Sequence, residues 1–337
     1  MKPPALYRPN QPAFRQQYAA LREQSLTAGA LLPGTPGTLQ RRRGTGYAYW
    51  YRVYYPVPGK QAETLVGREG DSAAENAMRA QMEFAESTAR QVGMLRKLGF
   101  QVADKASARA LVELHNLGAF EAGLLLAGRL GCLAWLNELG ARLRQPAGEP
   151  AISPRLALVA PDNFLSQPLA AALPLVSASE SASPATARAA FTLPGLAPMA
   201  TDILVPGPCF GNAVPAPGLA WSATTIPDHD YLFAAPAAGA LLAGGHCIPV
   251  RLPQAARLVW HQLAAPPTGA EQRLALSLAA VVLAQDPWAM LTAWEAAPAS
   301  LTEPIRPLRD SLLAASAAHP DLQDLLADCL GGPAPTA

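Results

Sequence analysis

The spacing of apolar and polar positions changes period several times along this chain, and each change predicts an element. Over residues 47–55 the period is two: Tyr47, Tyr49, Tyr51, Val53 and Tyr55 share one face, with Trp50 and Arg52 on the other, which is strand spacing. Pro58-Gly59 signals a turn and residues 61–66 supply a returning strand, so a β-hairpin is expected. The helix predicted next, residues 71–98, has an Asp/Ser start and Gly99 just past its end. The aromatic face of the hairpin is expected to pack on it. A second helix is predicted over residues 107–117, and the most apolar stretch, residues 123–143, reads as a third. Apolar runs at 156–160, 191–193 and 202–206 read as strands separated by Pro-, Ser- and Ala-rich connections, with a surface loop at 177–186. After a loop-rich region ending in His246-Cys247-Ile248-Pro249-Val250, helical spacing returns at 253–263, 269–284, 287–295, 305–317 and 322–330.

This order of elements predicts an α+β protein. Residues 1–44 read as a Pro/Gly-rich arm with one short amphipathic helix over 12–24. Residues 45–118 hold the hairpin and two helices, 119–252 a mixed-sheet core, and 253–337 a helical C-terminal region. The chain has 337 residues, 50% of them apolar and 15% charged, enough to bury a sizeable core. Its 34 prolines and 26 glycines require many turns and exclude a smooth helical bundle.

Charge narrows the partners. The formal net charge is +1, so no global field draws the protein to nucleic acid or anionic lipid. Any such binding must come from a local patch, and the one candidate is Arg41-Arg42-Arg43 followed by the aromatic hairpin. The longest apolar stretch, residues 117–136, is interrupted by Glu121 and Arg129 and makes a poor membrane span. The first residues lack the apolar run of a secretory signal. Cys132, Cys209, Cys247 and Cys329 are far apart, with no CxxC pair and no histidine at ligand spacing, so a zinc site is not expected. Free buried thiols suit a reducing compartment, and a cytoplasmic location is the expectation.

Several segments in a fixed order carry a resemblance. They are Tyr49-Trp50-Tyr51-Arg52-Val53, Leu125-Leu126-Ala127-Gly128, Leu136-Asn137-Glu138-Leu139-Gly140, Thr201-Asp202-Ile203-Leu204-Val205-Pro206, Val214-Pro215-Ala216-Pro217-Gly218-Leu219, and the stretch from His246 to the helix holding Trp294-Glu295. Together they cover residues 45–300 in patches, and the chain resembles a bacterial family of nucleotidyltransferase-fold proteins in the DNA polymerase β-like superfamily. The resemblance implies a nucleotidyltransferase-like mixed sheet with flanking helices. In such proteins a D-x-D strand and a third carboxylate hold divalent metal, Mg2+ in the usual case, on a triphosphate. A glycine followed by a small hydroxyl residue lets the phosphates approach the backbone.

Carried over residue by residue, the resemblance is incomplete. Gly128 matches the glycine, but Arg129 stands where Ser or Thr is expected. The strand led by Arg155-Leu156-Ala157 falls where the D-x-D strand belongs, so Arg155 and Ala157 replace both acids. Asp202 matches the third acid. One carboxylate with an arginine beside it does not make a two-metal site, and no metal is expected in the cleft.

Two readings of these residues follow. Arg129 and Arg155 could act as fixed cations that bind phosphate without metal, since guanidinium forks match phosphate oxygens. The plainer expectation is that Arg155 pairs with Asp202 and neutralises a vestigial site. Asp202 itself reads as the first residue of a strand, its carboxylate capping a turn. Asp228-His229-Asp230 resembles a metal cluster on paper, but neighbouring residues point in different directions, and a solvated turn is expected. His115, His261 and His319 have no partners at useful spacing.

The functional expectation is a catalytically degraded nucleotidyltransferase-fold protein that binds a nucleotide or a partner. An alternative is an active enzyme moving a nucleoside monophosphate to a protein, RNA or small molecule with Mg2+, which would need Glu149 or Asp162 to reach the cleft beside Asp202. Another is an interaction protein whose Arg41, Arg42 and Arg43, with Trp50 and Arg52 as the stacking and phosphate-contacting pair, dock a nucleic acid.

Overall fold

The computed structural model describes residues 5–44, 46–57, 59–144, 155–178, 188–265 and 269–331. The N-terminal elements are β1 (Tyr7–Pro9), α1 (Pro12–Leu26), β2 (Thr38–Arg43), β3 (Ala48–Val57), β4 (Lys60–Arg68), α2 (Ser72–Lys97) and α3 (Lys105–Asn116). The central ones are β5 (Leu125–Leu126), α4 (Gly128–Glu138), β6 (Ala141–Leu143), β7 (Arg155–Val159), α5 (Pro168–Ala172), β8 (Leu175–Ser177), β9 (Ala189–Phe191), β10 (Met199–Pro206), β11 (Ala213–Pro215), β12 (Ser222–Ile226), α6 (His229–Phe233), β13 (Ala237–Ala243) and β14 (His246–Leu252). Helices α7 (Ala255–Ala264), α8 (Gly269–Gln285), α9 (Ala289–Glu295), α10 (Ala299–Ile305), α11 (Arg309–Ala315) and α12 (Pro320–Gly331) follow. The fold is therefore α+β: a mixed sheet with flanking helices, small antiparallel sheets before it and helices after it.

The central sheet has seven strands. Strands β7, β10 and β12 run parallel, β10 in the middle. Strand β5 closes one edge antiparallel to β7, while β9 and β11 pair antiparallel with β10 and β12. Apolar residues of the parallel strands form the core: Leu156, Leu158 and Val159 on β7 and Ile203 on β10 are fully buried. Helices α4, α7 and α8 pack together, with α4 also against β7. The described residues contain no single helix long and apolar enough to cross a membrane.

Residues 123–143, expected as one helix, fold instead as strand, helix and strand. Leu124, Leu125, Leu126 and Ala127 have no exposed surface, and in such a run periodicity cannot separate a buried strand from a buried helix. Gly128 makes the turn with φ +60°. The end of α4 is pinned by the motif Leu136-Asn137-Glu138-Leu139-Gly140. Asn137, fully buried, accepts from the Gln101 N–H and donates to the Gln101 carbonyl, both at 2.8 Å, imitating a strand pair. Glu138 Oε1 accepts from the Tyr18 hydroxyl, Arg22 Nε and the Ala240 N–H, tying α1, α4 and the β13–β14 hairpin together.

Helix α2 follows its sequence signals closely. Asp71 caps it by accepting from the Ala74 N–H, and Gly99, at φ +93°, ends it. The N-terminal segment reaches into the core: Tyr18 and Leu21 of α1 pack with Val92, Leu95, Phe100, Leu242 and Cys247. The turn at Gly244-Gly245, both at positive φ, joins β13 to β14 as its glycines require.

The aromatic hairpin is a three-stranded sheet, with Arg41, Arg42 and Arg43 inside β2. Of the face expected to be buried, Val53 is buried, but Tyr47 and Tyr55 are exposed and Tyr49 and Tyr51 half-buried. Ala48, Arg52 and Tyr54 point inward instead. The reason is hydrogen bonding. Arg52 donates to the carbonyls of Pro33, Thr35 and Pro36, in a segment whose prolines leave no regular partner for those oxygens.

Candidate functional site

Five of the residues singled out from the sequence meet in one cleft of about 350 Å3 on the central sheet. Its floor is β7 and β10, whose register sets Ala157 directly opposite Asp202, with Arg155 two residues earlier on the same face. Asp202 lies in the interior of β10 rather than at its start, so it caps no turn. Its Oδ2 lies 3.4 Å from Arg155 Nη1. The Asp202 side chain is 13% exposed and that of Arg155 is 53% exposed. The carboxylate is thus the inner partner and the guanidinium reaches toward solvent.

The roof is the start of α4. Gly128 approaches β7 so closely that a Cβ on it would meet Ala157 Cβ at 3.0 Å, and its left-handed φ excludes other residues without strain. Ala127, at the cap position, supplies no side-chain acceptor. The first N–H groups of α4, at Gly128 and Arg129, lie on this cleft at the positive end of the helix dipole, with no side-chain cap from Ala127 competing for them.

Wall residues that sequence reasoning missed include Arg188, Glu271 and Phe210, and it named His261 only as a histidine without a partner. Arg188 sits at an isolated bridge to Ser222. Counting side chains, Arg129, Arg155 and Arg188 stand against Asp202 and Glu271, three cations to two anions. His261 was expected to be without a partner, but its Nδ1 lies 2.7 Å from Asp228 Oδ2, and both side chains are buried. Phe210 packs at 5.8 Å from the His261 ring. No local signal in the chain joins Asp228 to His261, because they are 33 residues apart and on different elements.

The donor set does not fit a two-metal site. The Asp202 carboxylate already carries a guanidinium, and the positions opposite and beside it are Ala157 and Arg155. Glu149 lies outside the described residues. Asp162 lies past the end of β7 beside His229, 71% exposed, and does not line this cleft.

The turn at Asp228-His229-Asp230 is not simply solvated. Asp228 and His229 are buried and Asp230 is exposed. Asp228 and His229 diverge, Asp228 turning to His261 and His229 Nε2 to the Ala160 carbonyl, but Asp230 meets His229 Nδ1 at 3.2 Å. The other histidines also have partners: His115 Nε2 bonds the Gly29 carbonyl, and His319 Nε2 accepts from the Leu6 N–H while stacking on Tyr7.

The nucleic-acid candidates do not assemble into a basic surface. Arg41 is ion-paired with Glu69, just past the end of β4, and Arg42 with Glu63 of β4, and the Arg41 pair holds the Glu69 carboxyl below its usual range. Arg43 is exposed. Arg52, expected to reach a phosphate, is buried, and burial pushes its guanidinium down to about 10, still charged at neutral pH. Trp50 is half-buried. Of the thiols, Cys132, Cys247 and Cys329 are buried, as expected, and Cys209 is exposed.

No protein-family model matches the chain, and no curated protein or solved structure matches it either. Any functional reading rests on the cleft itself.

Proposed function

We propose that the cleft between α4 and the β7–β10 strands binds the phosphate groups of a nucleotide without divalent metal, in a nucleotidyltransferase-like protein that no longer transfers nucleotides. The observation that carries this reading is the convergence of the uncapped start of α4 with Arg129, Arg155 and Arg188, while Arg155 occupies Asp202, the only carboxylate on the sheet floor among the described residues. Backbone N–H groups at a helix start and guanidinium forks are complementary to phosphate oxygens. Fixed cations here take the place of Mg2+ as the counter-charge. With Asp202 paired to Arg155 and no second acid on β7, the floor has no group to bridge two metals at a reacting phosphate.

Calorimetric titration with the four nucleoside triphosphates, with Mg2+ and with a chelator, tests the reading. Binding at least as strong in chelator as with Mg2+ is expected, because the metal-free triphosphate brings more negative charge to the arginines and the cleft needs no metal. Binding that requires Mg2+ would revive the enzyme reading, and absence of binding under both conditions would sink the proposal.

A further inference from the structure

The parallel strands β7, β10 and β12 end on the same edge of the sheet, where there is a second cleft. The segments after β10 and β12 line it, with Gly207 after β10 and Asp228-His229-Asp230 at the start of α6 after β12, while Asp162, three residues past β7, stands beside it against His229. The carboxyl ends of parallel strands are where open α/β sheets hold ligands.

His229 is 5% exposed in its side chain, and its Nε2 lies 2.7 Å from the Ala160 carbonyl. A carbonyl only accepts, so the ring proton sits on Nε2 and the neutral ring carries its lone pair on Nδ1. That nitrogen faces Asp230 Oδ1 at 3.2 Å and Asp162 Oδ1 at 3.8 Å. One ligand atom from each of the three residues lies within 4.8 Å of the others. A backbone carbonyl that holds the far N–H of an imidazole is the outer-shell partner of metal-ligating histidines, fixing tautomer and ring angle together. A second observation comes from Asp228, on the wall of the same cleft. It is 1% exposed, and its Oδ1 has no hydrogen-bond partner among the described residues. A buried carboxylate oxygen left in this way calls for a cation or an ordered water nearby.

We propose that Asp162, His229 and Asp230 form a mononuclear site for a divalent transition-metal ion of the zinc class, with its open positions facing the cleft beside Gly207 and Tyr231. One imidazole nitrogen and two carboxylate oxygens favour zinc or a neighbouring ion over magnesium and calcium, which prefer all-oxygen shells. The ion neutralises two carboxylates that otherwise face each other across one imidazole. The site shares none of its ligands with the arginine cleft, and either can fail without the other. The two are joined through Asp228, whose Oδ2 bonds His261 on the wall of the arginine cleft.

The test is competitive titration of the metal-stripped full chain with Zn2+ against a chromogenic chelator, with Mg2+ as the contrast. One zinc per chain at micromolar affinity is expected, with Mg2+ at least about 100-fold weaker. Asp162→Asn/Asp230→Asn changes two exposed side chains and so keeps the fold, unlike a change at buried His229. It should weaken zinc by about 10- to 100-fold or more. Substitution with Co2+ should give only the weak visible bands of nitrogen and oxygen ligands. Absence of zinc binding, equal affinity in the double variant, Mg2+ binding as tight as Zn2+, or a strong sulfur charge-transfer band that puts the ion on Cys209 would each overturn the proposal.

Discussion

Replacing Arg155 with Gln separates the two tasks assigned to that side chain. In the protein alone, Arg155 Nη1 and Asp202 Oδ2 are 3.4 Å apart. Coulomb's law at that distance gives about 1 kcal/mol in bulk water and about 5 kcal/mol at an effective dielectric of 20. Because the Arg155 side chain is 53% exposed, the lower figure applies, and exposed pairs contribute about 0–1 kcal/mol to stability. Arg155→Gln should therefore shift the urea midpoint little. Nucleotide binding should suffer more. A charge-assisted hydrogen bond to phosphate contributes about 1.5–3 kcal/mol, and the uncovered Asp202 carboxylate adds repulsion of about 1 kcal/mol. Taking the low end for a wet cleft, the loss is about 2–3 kcal/mol, or about 30- to 150-fold in Kd measured by calorimetry in chelator. Arg155→Gln/Asp202→Asn removes the repulsion and should recover about fivefold of that loss, a coupling read directly from the double-mutant cycle. Affinity of the single variant within about threefold of wild type would refute the phosphate role of Arg155. A double variant no better than the single one would refute the pairing as the reason Asp202 is tolerated.

Other consequences are separable from that one. Gly128→Ala should cost about 1–2 kcal/mol in denaturant unfolding from its left-handed φ alone, and should weaken nucleotide further, since the added methyl pushes α4 away from Ala157 at the cleft roof. Asn137→Leu strips the buried Gln101 N–H and carbonyl of their partners, and a loss of about 2–4 kcal/mol is expected in urea titration. Burial holds His246 and His319 below the usual histidine value, so the unfolded chain binds more protons as pH falls. Stability should be full above about pH 6.5 and decline through and below it, and the decline between pH 7 and 5 should shrink in His246→Gln. Arg52→Met leaves three carbonyls in residues 33–36 without their donor; limited proteolysis should cut that segment faster than in wild type.

The elements whose signals are local were legible in the chain. Helix α2 begins at the Asp71 cap and ends at Gly99 because capping and left-handed glycine geometry involve neighbours in sequence. The same holds for the Gly244-Gly245 turn and for most of the C-terminal helices. Helix α10 was missed because Pro298 before it and Pro304 within it read as breaks. The strand–helix–strand path through residues 123–143 was also missed, since uniform burial erases the period that distinguishes the two structures.

The candidate site divides along the same line. Gly128, Arg129, Arg155 and Asp202 could be chosen from their order in the chain, and the strand register then sets them around one cleft. What the sequence determined by itself was the identity of these groups: an arginine and an alanine on β7 instead of two acids. What only the tertiary structure decided was their company. Arg188 and Glu271 come to the cleft from a distant connection and from α8, Asp228 reaches His261, and Asp162 joins His229 beyond the strand ends. Arg52, polar and periodic with the exposed face on paper, turned inward because unpaired backbone carbonyls there needed a donor. Period and capping are written between residues a few positions apart. Charge pairing and the satisfaction of buried polar groups depend on distances in space, which exist only once the strands have paired.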